Sequence, residues 1–231
     1  MTFSQTTPDA DSHLAAGLLR RGIAASLSSR SPIRLRLEDL ARKIDRDDLF
    51  RPAIACRILP SSREEPQRWR IAEAILEGSI LERLAGATEV AVAFATIGSS
   101  WAEATSALFR HGDAVAGCLL DEVGTRILGL LARRIEARIR IEARRQGLCS
   151  GSPLEPGQPG LSLTVQPLLA ELVDARSAGI EVTPHGMLLP AKSFSMLIGI
   201  GASMRRWPRA AMCRECPSWV QCRRYGLSWD S

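Results

Sequence analysis

The strongest periodic signal lies between Asp113 and Arg145. Val115, Leu119, Val123, Ile127, Leu130, Leu131, Ile135 and Ile139 recur there at three- and four-residue steps. That spacing aligns them on one stripe and predicts a long helix. Glu136 with Arg140, and Arg138 with Glu142, fall one turn apart, which predicts an outer charged face over a solvated, Arg-rich second half. Cys118 falls inside the stripe and is expected in the core. Before this helix, "EVAVAFATIG" is a short, β-branched, nearly continuous apolar run ending in glycine, the pattern of a buried strand. "SSWAEATSALFRHG" predicts a second helix, with His111 capping its last carbonyls. "SPIRLRLEDLARKI" turns helical around Leu37, Leu40 and Ile44. In "EEPQRWRIAEAILEGSILERLAG", Ile71, Ile75 and Leu84 fit another helical stripe, with Gly86 as its stop.

After the long helix, "CSGSPLEPGQPG" holds three prolines and three glycines and reads as a loop. "LTVQPLLAELVDARSAG" predicts a helix with a glycine stop, followed by strands over "IEVT", "MLLP" and "SFSMLIGIG". In the last of these, Phe194, Met196, Ile198 and Ile200 share one face, and Ser195, Leu197 and Gly199 the other. The order of elements is α+β, without the βαβα rhythm of a doubly wound sheet. Residues 1–30 lack a sustained period and are expected to form a flexible arm, with at most a short helix over "HLAAGLLRRGIA". Residues 31–231 then make one domain, ending in a Cys-rich segment at about 205–226.

Composition narrows the functional classes. The chain has 231 residues, 45% of them hydrophobic, which is enough for a real core. No apolar run approaches the roughly 18 residues a membrane span needs. Asp9 and Asp11 stand where an export signal would carry positive charge, so a cytoplasmic location is expected. A net charge of +5 raises the question of nucleic acid. However, arginine is abundant beside alanine while only Lys43 and Lys192 are lysines, which reads as compositional bias, and acidic residues are interspersed. No nucleic-acid face is expected. "GIGAS" lacks the third glycine of a dinucleotide fingerprint. No Ser-His-Asp order, phosphate loop or paired carboxylates stand out, so an independent hydrolase is not expected.

Two groups of residues carry candidate chemistry. Cys213, Cys216 and Cys222 form C-x2-C-x5-C, a spacing that points several thiolates at one metal ion or cluster. Cys149 is the leading candidate for a fourth ligand, followed by His185. Arg205, Arg206, Arg209, Arg214, Arg223 and Arg224 surround the triplet, and their field favours thiolates and a net-negative cluster. Lys192 is the second group. In a chain that otherwise uses arginine, it sits between Pro190 and Ser193, where an ammonium could hold an anionic group on a partner or in the protein's own cleft. Ser193 and Ser195 flank it as hydroxyl donors.

Several of these pieces together resemble a known family. "AFATIGSSWAEATSALFRHGDAVAGCLLDEVGT" is similar to the strand–TIG–helix–GD–helix–LDxxG core of the activation domain of cobalamin-dependent methionine synthase, and more closely to free-standing bacterial proteins of that family. "SPLEPGQPGLSLTVQ" resembles its Pro-Gly loop and the glutamine-bearing helix that follows. "IEVTPHGMLLPAKSFSMLIGIG" resembles the next stretch, and "CRECPSWVQCRRYG" resembles the cysteine-rich tail of free-standing members. The match runs from about residue 50 to 226.

The resemblance implies a helmet-like α+β fold, with a long central helix and a small, mainly antiparallel sheet. It also implies a role in the reductive activation of a corrinoid protein or cobalamin-dependent methyltransferase. The cobalamin would sit on the partner, and the chain would act as an accessory activator, with an iron–sulfur cluster, or zinc, at Cys213, Cys216, Cys222 and Cys149. Lys192, Ser193, Ser195, Gly157 and Asp121 are the cofactor-binding candidates it suggests. Two rivals remain: an S-adenosylmethionine-binding reductive methylation domain, and a zinc-knuckle interaction module. The family's S-adenosylmethionine loop reads Arg-x-x-Pro-Gly-Tyr, whereas the matching positions here are Pro153, Pro156, Gly157 and Gln158. An expected acid in the long helix is Gly129. These departures remove a bidentate carboxylate contact, which argues against S-adenosylmethionine as ligand.

Overall fold

The structure is a computed structural model and describes residues 2–5, 33–208 and 220. Its organising strand is β5 (Glu89–Thr96). Val90, Val92 and Phe94 point to one side and Ala91, Ala93 and Ala95 to the other, and all six are fully buried. A strand buried on both faces has no need to alternate apolar with polar residues. Here it alternates large with small.

β5 lies inside an antiparallel sheet. The order is β4 (Ala74–Glu77), β3 (Arg68–Ile71), β2 (Ala53–Glu65), β5, β9 (Ser193–Gly201) and β6 (Cys149–Ser150). β1 (Thr2–Gln5) pairs with the first half of β2, from Thr2 opposite Arg57 to Gln5 opposite Ile54. Part of the expected N-terminal arm is therefore a strand. β7 (Glu181–Val182) and β8 (Leu188–Leu189) form a separate small ribbon.

The alanine side of β5 carries three helices: α1 (Ile33–Arg46), α2 (Ser99–Arg110) and the 32-residue α3 (Ala114–Arg145). Small side chains beneath α3 let it lie close on the sheet. Met196, Ile198 and Ile200 of β9 face the same way, and Leu120, Val123, Ile127, Leu131, Ile135 and Ile139 of α3 meet them. The opposite side is covered by α4 (Gln166–Val173), short 3-10 turns and the β3–β4 hairpin. There Trp69, Leu76, Leu81, Leu84, Leu169 and Leu197 pack on Val90, Val92 and Phe94. Arg57 crosses to this side and donates to Leu172 O at 2.8 Å, serving one of the orphan carbonyls at the end of α4.

α2 and α3 are held together by two glycines. A Cβ on Gly117 would come within 2.9 Å of the Phe109 ring, and one on Gly124 within 2.4 Å of Trp101 Nε1. The fully buried Trp101 indole donates to Leu120 O at 3.0 Å. Gly124 of the "LDEVG" stretch is therefore explained by helix packing.

The α+β class, the long helix and the mainly antiparallel sheet agree with expectation, as do both faces of β9. Three local expectations fail. Residues 68–77 form a hairpin, not a helix: Trp69 and Ile71 are buried while Arg68 and Arg70 alternate with them and pair with Glu64. A two-residue turn with Ala72 at φ 49° reverses the chain. The second half of α3 is not simply solvated, because Glu136 and Glu142 are buried. Finally, Cys118 and Val115 are exposed. The stripe begins one residue later, where the small Ala116 and Gly117 turn inward towards α2.

Candidate functional site

Three of the motifs behind the resemblance converge at one end of the sheet, where β5 ends and β9 begins. The carbonyl of Lys192 accepts from the amide of Ile97 at 3.1 Å and from Thr96 Oγ1 at 3.1 Å. Thr96 Oγ1 also accepts from the amide of Gly98 at 3.1 Å. Gly98 has φ 100°, and a Cβ there would sit 3.1 Å from Arg51 Cβ, so the turn suits glycine. The Lys192 side chain reaches across to α3. Its ammonium lies 2.8 Å from Asp121 Oδ1 and donates to Thr125 Oγ1 at 2.8 Å. Thr125 Oγ1 in turn donates to Asp121 O at 3.0 Å. The contact is an anionic one within the protein's own cleft. Lys192 and Asp121, selected separately as candidates, thus form one pair.

An open cavity of about 320 Å³ is lined by Ser99, Arg176, Gly179, Glu181, Leu189 and Pro190, the last two of which precede Lys192 in sequence. Its lining includes one cation, Arg176, and one anion, Glu181. Sequence reasoning missed Ser99, Arg176 and Glu181. The only signal was the "TIGSS" turn, which puts Ser99 at the start of α2.

Ser195 faces the opposite side of the sheet. It is buried and donates to the buried Gln166 Oε1 at 2.7 Å, joining β9 to the first residue of α4. Ser193 donates to Pro190 O at 2.7 Å and closes the turn before β9. The Pro-Gly loop turns at Gly157. Gly157 has φ 93°, and its amide donates to Leu161 O at 2.8 Å. Its polar side chain is used internally, as Gln158 Oε1 accepts from the amide of Glu155 at 3.2 Å. No guanidinium extends from the loop at Pro153 to meet a carboxylate. At the positions where the resemblance would place an arginine and a tyrosine, the loop carries Pro153 and Gln158.

At the far end of β9 the chain folds back as a strap over residues 202–208. A Cβ on Gly199 would come within 2.7 Å of Met204 Cε, so this glycine permits the strap's close return, while one on Gly201 would come within 2.1 Å of Gly86 O in the turn before β5. Ser152 and Trp207 form a reciprocal clasp. The Trp207 amide donates to Ser152 Oγ at 2.8 Å, and that hydroxyl donates to Trp207 O at 3.1 Å. Arg206 pairs with Glu136 and donates to Gly151 O at 3.3 Å. The guanidinium carbons of Arg205 and Arg83 lie over the Trp207 ring, 3.8 Å and 5.2 Å from its centroid.

Cys213, Cys216 and Cys222 lie outside the described residues. Among those described, no group of three or more His, Cys, Asp or Glu side chains could hold a metal ion. Cys149 is exposed on β6, with its backbone opposite Gly201. Cys56 is buried, and desolvation pushes its thiol up to about 11, opposed in part by Arg138. His185 is exposed at the tip of a turn in which the Gly186 amide donates to Thr183 O. His111 Nδ1 lies 2.7 Å from Ala107 O, the helix-end contact expected of it.

Neither a protein-family model nor a curated protein matches the sequence. Among solved structures, the chain is similar to the MetH reactivation domain in a crystal structure bound to AdoHcy. The TM-score is 0.61 at 14% identity, over 95% of this chain and 75% of that one. The chain has the fold of that activation domain, and no described helix is long and apolar enough to cross a membrane.

Proposed function

We propose that this protein is an accessory activator of a corrinoid-dependent methyltransferase. It would dock on the cobalamin-bearing partner and pass one electron from a reduced protein donor to cob(II)alamin, giving cob(I)alamin. The electron would travel through an iron–sulfur or other metal centre held by Cys213, Cys216 and Cys222. The observation that carries the reading is the shared fold along 95% of the chain. The cysteine triplet adds a redox-capable donor set to that fold. Lys192 and Asp121 then serve chiefly to fix the β5–β9 end of the domain, since each already occupies the other. The test is direct: mix the anaerobically purified protein with a cob(II)alamin-loaded methyltransferase and a one-electron reductant, then follow the cob(II) absorption. Unchanged decay with and without the protein sinks the reading.

A second reading, S-adenosylmethionine binding with altered contacts, is favoured by the AdoHcy in the similar structure and by the retained Gly157 turn. With Pro153 and Gln158 at the contact positions, the expected dissociation constant is no tighter than about 1 mM, or about 4 kcal/mol of binding. Micromolar affinity by calorimetry would restore this second reading. A colourless protein carrying stoichiometric zinc would instead favour the knuckle-type interaction module.

A further inference from the structure

We infer that the second half of α3 is a docking face for a carboxylate-rich surface on another protein. Residues 133–145 hold six arginines against two glutamates, in a chain whose whole net charge is +5. The interspersed acids would largely neutralise this segment if both signs faced outward. They do not. Glu136 and Glu142 are buried, the first meeting Arg206 and the second Arg145 at 3.4 Å. Arg134, Arg138, Arg144 and Arg145 are exposed. At about 3.6 residues per turn, these four and Ile141 fall within about a third of the helix circumference. From Arg134 to Arg145 the stripe is about 16 Å long.

The middle of the stripe decides what fits it. Ile141 is 52% exposed among the arginines. Phosphate groups would leave that side chain facing charge, whereas another protein can cover it with apolar atoms inside a polar rim. An anionic membrane takes up a helix through a broad apolar face. The apolar face of α3 already packs on the sheet, where Ile127, Leu131, Ile135 and Ile139 are buried. A second copy of this chain carries the same positive excess and offers nothing complementary to it. The occupant is therefore an acidic protein surface. Arginine suits it, because the planar fork meets a carboxylate with two parallel hydrogen bonds. A stripe of this length fits a small, transient complex whose encounter is steered by charge and weakened by salt.

The test uses the full chain and two labelled probes of equal charge, a peptide of Glu-Glu-Leu repeats and a single-stranded DNA. Binding is followed by fluorescence anisotropy at low and high salt. The parent should bind the peptide, and added salt should weaken it by screening. R134E/R144E should weaken the peptide at least about ten-fold. R63E/R110E, which makes the same net-charge change at exposed arginines elsewhere, should weaken it less than about two-fold. I141S should weaken the peptide and leave the DNA unaffected. If R134E/R144E does not fold, R134Q/R144Q gives the same reading with a loss of about three-fold. Equal losses in the two double variants would mean that overall charge holds the peptide, and would overturn the docking face. A parent that ignores the peptide at low salt overturns it too. DNA bound more tightly than the peptide, with its loss confined to R134E/R144E, would make the face a nucleic-acid site instead.

Discussion

Two ion pairs fasten β9 to α3, one before the strand and one after it, and they are built in opposite senses. At the first, the Lys192 side chain is 14% exposed and its Asp121 partner 52%. At the second, Glu136 is 11% exposed and its Arg206 partner 41%. One end buries the cation and the other buries the anion. An exposed group that loses its partner is rehydrated at little cost, whereas a buried one keeps its desolvation penalty. The residue whose removal harms the protein should therefore be the exposed member at each end, because it takes a partner from a buried charge.

That contrast can be broken by exchanging charges. The largest effect is expected for R206M, which takes a cation from the buried Glu136 carboxylate. It should cost about 1.5–3 kcal/mol by urea denaturation, the scale of one charge-assisted hydrogen bond, while E136Q, which removes the buried charge itself, should cost about half as much. At the other end the order reverses. D121N leaves the Lys192 ammonium with Thr125 and should cost about 1–2 kcal/mol, whereas K192M, whose stem keeps its packing, should cost less than about 1 kcal/mol. If cation removal proves the worse change at both ends, burial is not what distinguishes the pairs.

The smallest effect sharpens the comparison on the same helix without touching β9. Asp113 caps α3 by accepting from the amide of Ala116 at 3.1 Å, and it pairs with Arg36 at 2.8 Å. The hydrogen bond first, and Arg36 second, hold its carboxyl below the usual carboxylate range. A depressed folded-state pKa contributes stability that is present above the unfolded value near 3.9 and lost as pH falls through the folded value. Thermal midpoints of D113N and the parent should differ at neutral pH and converge in strong acid. A constant gap would show that the cap contributes nothing through its charge.

The sequence was most legible where one period dominated. β5, α2, α3, α4 and β9 were readable because their apolar residues follow a single rule, and both faces of β9 came out correctly for that reason. The β3–β4 hairpin was misread because Ile71 and Ile75 fall four apart by coincidence, while the informative alternation of Trp69 and Ile71 with arginines spans only four residues. β2 gave no signal, since Arg57 and Pro60 interrupt its apolar positions. Lys192 and Asp121 were each recognisable, but not as partners. Nothing in a linear pattern relates a residue before β9 to one in the first half of α3. The strap was equally hidden, because Ser152 and Trp207 look ordinary until the chain folds back on itself.

The placement of β9 also has a consequence for how the protein is made. β9 enters the sheet between β5 and β6, pairing Ser193 with Thr96 and Ile200 with Glu89. A loop of roughly 100 residues must close before any of those bonds forms, and closure entropy rises with the logarithm of that length. The β3–β4 hairpin and the α2–α3 pair need only near neighbours in sequence. Folding speed should accordingly be governed by this distant pairing, and β9, together with the β6 edge that pairs only with it, should be the last part of the large sheet to gain protection from hydrogen exchange.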